Sequence, residues 1–158
     1  MRTRTASFGD FTCSRCRSMV SAAHWLSGVN NRNHCPYCLW SCHMDLFAAG
    51  DRLSACRGQM KPIALTMKKG RNKYRLEARG ELMLVHECVE CRRLSINRIA
   101  ADDDLSTVIE VFHASLMLSH QMYVVCEQNG IHVLKGEDGD HLHTQLYGRT
   151  VEMSLDIR

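Results

Sequence analysis

The sequence has little proline, few aromatic residues and no long apolar run. Two prolines and 6% aromatic residues among 158 residues leave material for a modest core, in one ordinary domain or two small ones. No apolar stretch approaches the roughly 20 residues that cross a bilayer, and the N-terminal MRTRTASFGDFTCSRC lacks the apolar region of a signal peptide. We therefore expect a cytoplasmic protein with no membrane partner.

Sequence features of common enzymes are also missing. No Ser/His/Asp arrangement, glycine-rich phosphate loop or pair of carboxylates stands out. Cys35-Pro36-x-Cys38 resembles half of a deaminase pattern, but here the proline follows the first cysteine, and His86-Glu87 lacks the intervening residue. A redox role for Cys-x2-Cys would need a βαβ context, which the sequence does not offer. We expect a protein that is not an enzyme and has no small-molecule substrate.

Cysteine, by contrast, is abundant. There are nine cysteines, and without an oxidising compartment, pairs two residues apart hold metal more often than they form disulfides. Cys13-x2-Cys16 and Cys35-x2-Cys38 each aim two sulfurs at one point, and two such knuckles complete a tetrahedron. The spacing therefore predicts a structural zinc site of the zinc-ribbon type, with unrelated buried thiols as the alternative.

A third pair indicates a second zinc site. Cys88-x2-Cys91 and Cys56 supply three sulfurs, so one further ligand is needed for a tetrahedral zinc ion. Cys126 lies in an apolar run, and we expect it to be an inert core residue. The prediction is two Zn²⁺ ions per chain.

The fourth ligand of the second site is open between two histidines. His43 comes from a separate segment, which leaves room around the metal, and Asp45 could orient its other ring nitrogen. His86 lies two residues before Cys88, so both side chains would share one strand face and be cramped around a single ion. Cys42 is a weaker third candidate. We prefer His43, with His86 as the alternative.

The charge is unevenly divided along the chain. Residues 1–100 contain 17 Lys and Arg against 7 Asp and Glu, whereas residues 101–158 contain 3 against 10. An excess of positive charge favours an anionic partner, of which nucleic acid is the commonest. A basic solvated face without a partner is the competing interpretation.

The candidate RNA contacts are cations in the basic part, with one tyrosine as a stacking group: Arg32, Arg52, Lys68, Lys69, Arg71, Lys73, Tyr74, Arg75 and Arg98. The run from Lys68 to Arg75 surrounds a glycine and is typical of an exposed hairpin tip or loop. A guanidinium fork suits a phosphate, but it suits a carboxylate such as Asp51 or Asp102 equally well.

The pattern of residues predicts an α+β fold with zinc-ribbon-type β units, then a helix and β-hairpins. Asp102 to Asp104 offer an N-cap, and apolar residues at spacings of three and four predict a helix over 105–116, although Val108, Ile109 and Val111 also suit a strand. Asn129-Gly130 between β-prone runs predicts a β-hairpin, and a second one is expected within 143–155. We expect a zinc-binding domain at 1–104 and a C-terminal extension at 105–158.

Several motifs resemble those of the bacterial RNHCP domain family. They are Arg32-Asn33-His34-Cys35-Pro36, Ser41-x-His43-x-Asp45, Gly50-Asp51-Arg52, Cys56-x-Gly58-x-Met60-x-Pro62, His86-x-Cys88-x2-Cys91 and Asn97-Arg98-x-Ala100-x-Asp102-Asp103. The resemblance runs in order from about Phe11 to Asp104, although Arg92 stands where a glycine commonly follows the last cysteine. It implies a zinc-ribbon-like, metal-binding unit and no particular activity.

These observations together predict a zinc-binding, non-catalytic RNA-binding accessory protein. The ribosome is the expected partner by analogy, because small basic zinc ribbons are frequent there. The alternative is a zinc-stabilised protein-protein interaction module, in which the acidic C-terminal region binds a protein partner or shields the basic face.

Overall fold

The computed structural model of the protein describes residues 9–69 and 80–148. This part of the chain mixes short strands with helices. The strands are β1 (Phe11–Thr12), β2 (Met19–Val20), β3 (Ser41–Cys42), β4 (Gln59–Lys68), β5 (Glu81–Cys88) and β6 (Leu94–Arg98). The helices are α1 (His24–Ser27), α2 (Leu105–Ser115), α3 (His120–Gln128) and α4 (Gly139–Tyr147), with a 3-10 turn at Gly136–Asp138.

The strands form two antiparallel sheets. β1 and β2 make a small two-stranded ribbon, and the larger sheet has the order β3-β4-β5-β6. Pro62 lies inside β4, next to the shift in register between Pro62 and Ala64. Because proline cannot donate a ladder hydrogen bond, a bulge is where a paired strand accommodates it.

The larger sheet is covered on both faces, and the two faces carry separate apolar clusters. One cluster joins the sheet to α2 and α4 and includes Leu39, Leu65, Leu84, Val108, Phe112 and Leu142. The other joins it to α3 and the segment that follows, and includes Ala64, Val85, Cys126, Ile131 and Val133. The sheet is therefore the centre of the fold, and Cys126 is a buried core residue as predicted.

The helix predicted over 105–116 is confirmed as α2. The Asp104 carboxylate accepts a hydrogen bond from the Thr107 N–H at 2.9 Å, which satisfies one of the unpaired donors of the first turn. Val108 and Phe112, one turn apart, are buried against the sheet. Local capping and apolar spacing thus predicted this element correctly.

The two predicted β-hairpins are wrong within the described residues. Residues 120–128 form α3, and Asn129-Gly130 ends that helix: Gly130 has φ +72°, and the Ile131 N–H donates to the Cys126 carbonyl at 2.9 Å. A residue with positive φ terminates a helix as readily as it makes a hairpin turn, and apolar packing on the sheet favoured the helix. Residues 143–147 belong to α4, and 149–155 lie outside the described residues.

The C-terminal region shares its core with the zinc-binding part. Thr66 pairs with Val133 in an isolated bridge, and the Leu134 N–H donates to the Leu65 carbonyl at 2.9 Å. The boundary at residue 104/105 stays a prediction about domains, while the packing makes 105–148 part of the same folded body. Among the described residues, no helix has the length and hydrophobicity needed to span a lipid bilayer.

Candidate metal centres

The first candidate centre is built by two turns with the same hydrogen-bond pattern. In one turn the Cys13 N–H donates to the Ser18 carbonyl and the Arg17 N–H to the Cys13 carbonyl, at 2.9 and 3.0 Å. In the other turn the Cys35 N–H donates to the Trp40 carbonyl and the Leu39 N–H to the Cys35 carbonyl, both at 2.9 Å. This pattern folds each Cys-x2-Cys segment into a tight loop that presents both sulfurs on one side.

The four sulfurs of these turns converge. Cys13 Sγ lies 3.6 Å from Cys38 Sγ, Cys16 Sγ lies 3.5 Å from Cys35 Sγ, and all four lie within 4.8 Å of one another. Disulfide sulfurs are about 2.05 Å apart, whereas zinc-sulfur bonds of about 2.3 Å place tetrahedral sulfurs about 3.8 Å apart. The arrangement therefore fits a metal tetrahedron.

The electrostatics of the first centre also fit a cation. Burial raises the pKa of the Cys35 and Cys38 thiols, whereas hydrogen bonding to Ser18 lowers the pKa of Cys16 to about 6. The Arg15 N–H donates to Cys13 Sγ at 3.4 Å. Clustered buried thiolates are costly without a counter-charge, and Zn²⁺ supplies that charge when bound to all four.

The second candidate centre contains three cysteines and one histidine. Cys56 Sγ lies 3.6 Å from Cys88 Sγ, Cys91 Sγ lies 3.2 Å from His43 Nδ1, and the four ligand atoms lie within 4.8 Å of one another. The third knuckle repeats the pattern of the other two, because the Arg92 N–H donates to the Cys88 carbonyl at 3.0 Å. The chain thus has one group of four cysteines and one group of three cysteines with a histidine, which is consistent with two zinc ions per chain.

His86 is placed away from this metal group and has a structural role. Its Nε2 lies 2.7 Å from the Leu39 carbonyl oxygen, and its Nδ1 lies 2.9 Å from Asn97 Nδ2. Burial lowers the pKa of His86 to about 3, so the ring is neutral. Both ring nitrogens of His86 are therefore engaged in protein hydrogen bonds. The histidine that lies at the second centre is His43. Cys42 instead donates to the Arg57 carbonyl at 3.4 Å.

The Asp45 carboxylate does not orient His43 by a hydrogen bond, as the sequence led us to expect, and Asp45 acts on this ring only through its charge and its backbone. The Asp45 carboxylate accepts hydrogen bonds from the N–H groups of Gly50 and Arg52, at 2.7 and 3.0 Å. The Nε2 atom of His43 is buried and has no hydrogen-bond partner among the described residues. An aspartate side chain is short, so next to a tight loop its carboxylate accepts hydrogen bonds from the backbone N–H groups of that loop rather than from a ring farther away.

Arg32 and His34, which precede the second knuckle, enter a buried ionic network. Arg32 NH1 lies 2.7 Å from Asp102 Oδ2, Arg32 NH2 lies 3.3 Å from Asp103 Oδ1, and His34 Nε2 lies 2.8 Å from Asp103 Oδ2. Asp103 also accepts from the Ala100 N–H at 2.8 Å. The network ties the second knuckle to the residues that begin α2.

One of the predicted RNA contacts, Arg32, is therefore wrong, and a second, Arg52, is largely engaged within the protein. The Arg32 side chain is fully buried in its pairing with carboxylates, so it cannot reach a phosphate. The Arg52 side chain is 11% exposed, and it donates to the Arg32 carbonyl and faces Asp45 at 3.9 Å. The competing interpretation, a guanidinium held by Asp102, describes Arg32 correctly.

The other predicted RNA contacts divide into two sets. Lys68, Lys69 and Arg98 are exposed, and Arg98 Nε lies 3.3 Å from Glu81 Oε1 at the surface. Arg71, Lys73, Tyr74 and Arg75 lie outside the described residues. The structure brings Lys68 and Arg98 to the wall of one cavity, which the sequence did not indicate.

Comparison with known proteins agrees with the motifs. The sequence model of the RNHCP domain family matches residues 8–109, and the protein belongs to this family. Searches of curated proteins and of solved structures give no significant match. The match covers all eight ligands and ends within α2.

Substituting His43 by alanine is expected to lower the zinc content from two ions per chain to one, because the second centre loses its fourth ligand. Substituting His86 by alanine should keep both ions and cost about 1 to 3 kcal/mol of stability, since the Leu39 carbonyl and the Asn97 amide lose their partner. Metal analysis and thiol titration of the two purified variants distinguish them. Loss of zinc from His86→Ala alone would assign the ligand to His86.

Proposed function

We propose that this protein is a zinc-stabilised, non-catalytic RNA-binding accessory protein, with the ribosome as the first target to test. The supporting observation is the surface charge of residues 9–69 and 80–100. Nine lysines and arginines in these residues are exposed, against three exposed carboxylates (Asp10, Glu81 and Glu90). The exposed cations are Arg15, Arg17, Arg57, Lys61, Lys68, Lys69, Arg92, Arg93 and Arg98. The thiolates leave formal charges of about −2 and −1 on the two zinc centres, which reduce this excess without cancelling it.

Exposed arginines stand directly beside the metal ligands. Arg17, Arg57 and Arg92 each follow a ligand cysteine, with φ of 66°, 53° and 64°, so each stands at a sharp bend of the chain. Arg15 lies between the two ligands of its knuckle, with its guanidinium 4.4 Å from the Trp40 ring. Folding around metal thus holds several guanidinium groups on the surface, where they can contact phosphates.

The coordination of both centres supports a non-catalytic role. Each candidate group offers four protein ligands, and a zinc ion with four protein ligands has no open position for water or substrate. The zinc would supply a crosslink between segments that are far apart in the sequence. This composition is typical of structural sites.

A specific observation favours protein-protein interaction as the second candidate function. Residues 101–148 have five exposed carboxylates, Asp104, Glu110, Glu127, Glu137 and Asp140, against Lys135 as their one exposed lysine or arginine. Trp25 and Met117 are almost fully exposed, as large apolar side chains at interfaces often are before a partner binds. A basic protein partner would fit the acidic surface.

Binding of single-stranded or structured RNA is expected to weaken with salt at a log-log slope of about −3 to −5 in total, because each phosphate contact contributes about −0.7. Changing Arg15, Arg17 and Arg92 together to glutamine should flatten the slope by about 2. Fluorescence anisotropy at several salt concentrations and co-sedimentation with ribosomes at low and high salt measure both effects.

The matched control neutralises carboxylates on the acidic side: Glu110→Gln, Glu127→Gln and Asp140→Asn. It should preserve or strengthen binding, because it removes repulsion from RNA and leaves the basic surface intact. Zinc-loaded, folded protein that ignores RNA and ribosomes at low salt would contradict the RNA proposal and favour the protein-partner alternative.

A further inference from the structure

A cleft runs beside β6, which is an edge strand of the larger sheet. It consists of a cavity of about 500 Å³ and a smaller one of about 190 Å³. Both are lined by Asn33, Ala49, Ile96 and Asn97, so they adjoin. The larger cavity alone lies in the size range of sites for small organic ligands, about 300 to 1,000 Å³.

Asn97 lines the cleft, and its neighbour His86 fixes which of its side-chain atoms donates a hydrogen bond. His86 Nε2 lies 2.7 Å from the Leu39 carbonyl oxygen, so this nitrogen carries the ring hydrogen and Nδ1 is the acceptor. Asn97 Nδ2, at 2.9 Å from His86 Nδ1, must therefore donate. Asn97 keeps one N–H and its carbonyl oxygen unpaired among the described residues. A carboxamide with one free N–H and one free carbonyl oxygen can donate to N7 of adenine and accept from its N6 amino group.

Further unpaired amides line the same cavity. The side chains of Asn30, Asn31 and Asn33 make no hydrogen bond with other described residues, and all three residues are part of the lining of the larger cavity. Asn30 and Asn31 are exposed, and Asn33 is half-buried. Asparagine offers two donors and one acceptor, so the wall can bind polar groups of a ribose or a base. An apolar ligand would leave these groups without partners, which makes a polar ligand the better fit.

Two cations lie at the same cavity. Lys68 and Arg98 both line it, and the Arg98 side chain is 63% exposed, with Glu81 as its partner at 3.3 Å. A surface pair of this kind is weak, and the guanidinium retains N–H groups for a second anion. This end of the cavity is suited to a phosphate.

An exposed aromatic ring borders the smaller cavity. Phe47 is 84% exposed and is part of the lining. Exposed aromatic side chains beside a basic groove stack with successive bases of a single strand. The cleft therefore combines an amide for a base edge, cations for a phosphate, and a ring for a neighbouring base.

From this juxtaposition we infer that the cleft binds an adenine nucleotide, with its base against Asn97 and its phosphate near Lys68 and Arg98. The inference rests on the proposed function where the nucleotide is one unit of single-stranded RNA. A free adenine nucleotide has the same chemistry and would occupy the same cleft. The two sources require separate measurements.

The test uses zinc-loaded, full-length protein with four probes: AMP, CMP, and short oligo(A) and oligo(C) RNA strands. Oligo(A) is expected to bind about tenfold more tightly than oligo(C), because a bidentate amide-adenine pair discriminates by this order. Ala49→Trp should remove that preference by filling the region shared by the two cavities. The matched control is Ala114→Trp, at an exposed alanine of α2 that does not line the cleft.

Measurements on unmodified protein and on a variant of an exposed residue keep the test independent of whether Ala49→Trp folds. The side-chain amide resonances of Asn33 and Asn97 in the unmodified protein should shift on titration with oligo(A). The surface variant Arg98→Gln should weaken binding of oligo(A). Shifts with AMP and weak RNA binding would assign the site to a free nucleotide. Shifts with oligo(A) alone would assign it to RNA.

The outcomes separate this inference from the proposed function. RNA binding with no preference between oligo(A) and oligo(C), unaffected by Ala49→Trp and without AMP binding, would overturn the cleft inference and leave the RNA function standing. AMP binding without RNA binding would overturn the RNA function and leave the cleft inference standing. Failure of every probe would overturn the cleft inference, and the RNA function would fall with it only if co-sedimentation with ribosomes at low salt failed as well.

Discussion

Removal of metal with a strong chelator is expected to unfold the zinc-binding part of the protein, and metal analysis of the untreated protein should give two zinc ions per chain. Among the described residues, the apolar cluster at the first centre contains Cys13, Val20 and Cys35, with Phe11 and Cys38 beside it. A structural zinc site contributes about 10 to 16 kcal/mol in small zinc-binding peptides, which is comparable to the entire stability of a typical domain, about 5 to 15 kcal/mol. Circular dichroism and thiol titration before and after chelation measure the loss.

Cysteine variants provide the control for this expectation. Cys38→Ser should lose the first zinc ion and most of the stability. Cys126→Ser should keep both ions, at a cost of about 1 to 3 kcal/mol for a hydroxyl buried in an apolar cluster. A content of one zinc ion per chain would contradict the second centre, and retention of native spectra after complete chelation would contradict a structural role for both.

The second large effect is expected at Asp103. Its carboxylate contacts Arg32, His34 and the Ala100 N–H, all in buried positions. Asp103→Ala leaves these donors without the carboxylate, and breaking a buried pair from one side costs about 3 to 5 kcal/mol. Denaturant unfolding of the zinc-loaded variant measures the change in the free energy of unfolding.

Asp104 is a matched control for Asp103, because it is the next residue and also an aspartate. It is exposed and caps α2 through the Thr107 N–H, so Asp104→Ala should destabilise the protein much less than Asp103→Ala does. Equal losses from the two variants would contradict the buried network as the link between the second knuckle and α2.

Local chemistry was predictable from the sequence. The ligands of the first centre follow from Cys-x2-Cys spacing, because a four-residue turn fixes where both sulfurs point. Helix α2 followed from its Asp104 cap and its apolar spacing. The Asn129-Gly130 signal was correct about positive φ at Gly130 but not at Asn129, which has φ −90°. It was wrong about the element, because a glycine with positive φ also ends a helix when the preceding residues form one.

The roles of Arg32, His43 and His86 depended on distant residues. Arg32 and Asp102 are 70 positions apart, so spacing along the chain could not reveal that the guanidinium is buried and paired. His86 and His43 were distinguishable only after strand pairing placed His86 beneath Leu39 and left His43 beside Cys91. The cleft beside β6 is assembled from segments near residues 30, 48 and 97, and none of them predicts it alone.

The sequence by itself determined the metal chemistry, the cysteine knuckles, the separation of charge and the family of this protein. These properties depend on residue type and short spacing, which the covalent chain fixes before any tertiary contact forms. Only the tertiary structure decided which histidine joins the second centre, which arginines remain exposed and where a nucleotide-sized cleft lies. Those outcomes depend on which groups share a buried space, because burial makes unpaired polar and charged groups costly and thereby selects their partners.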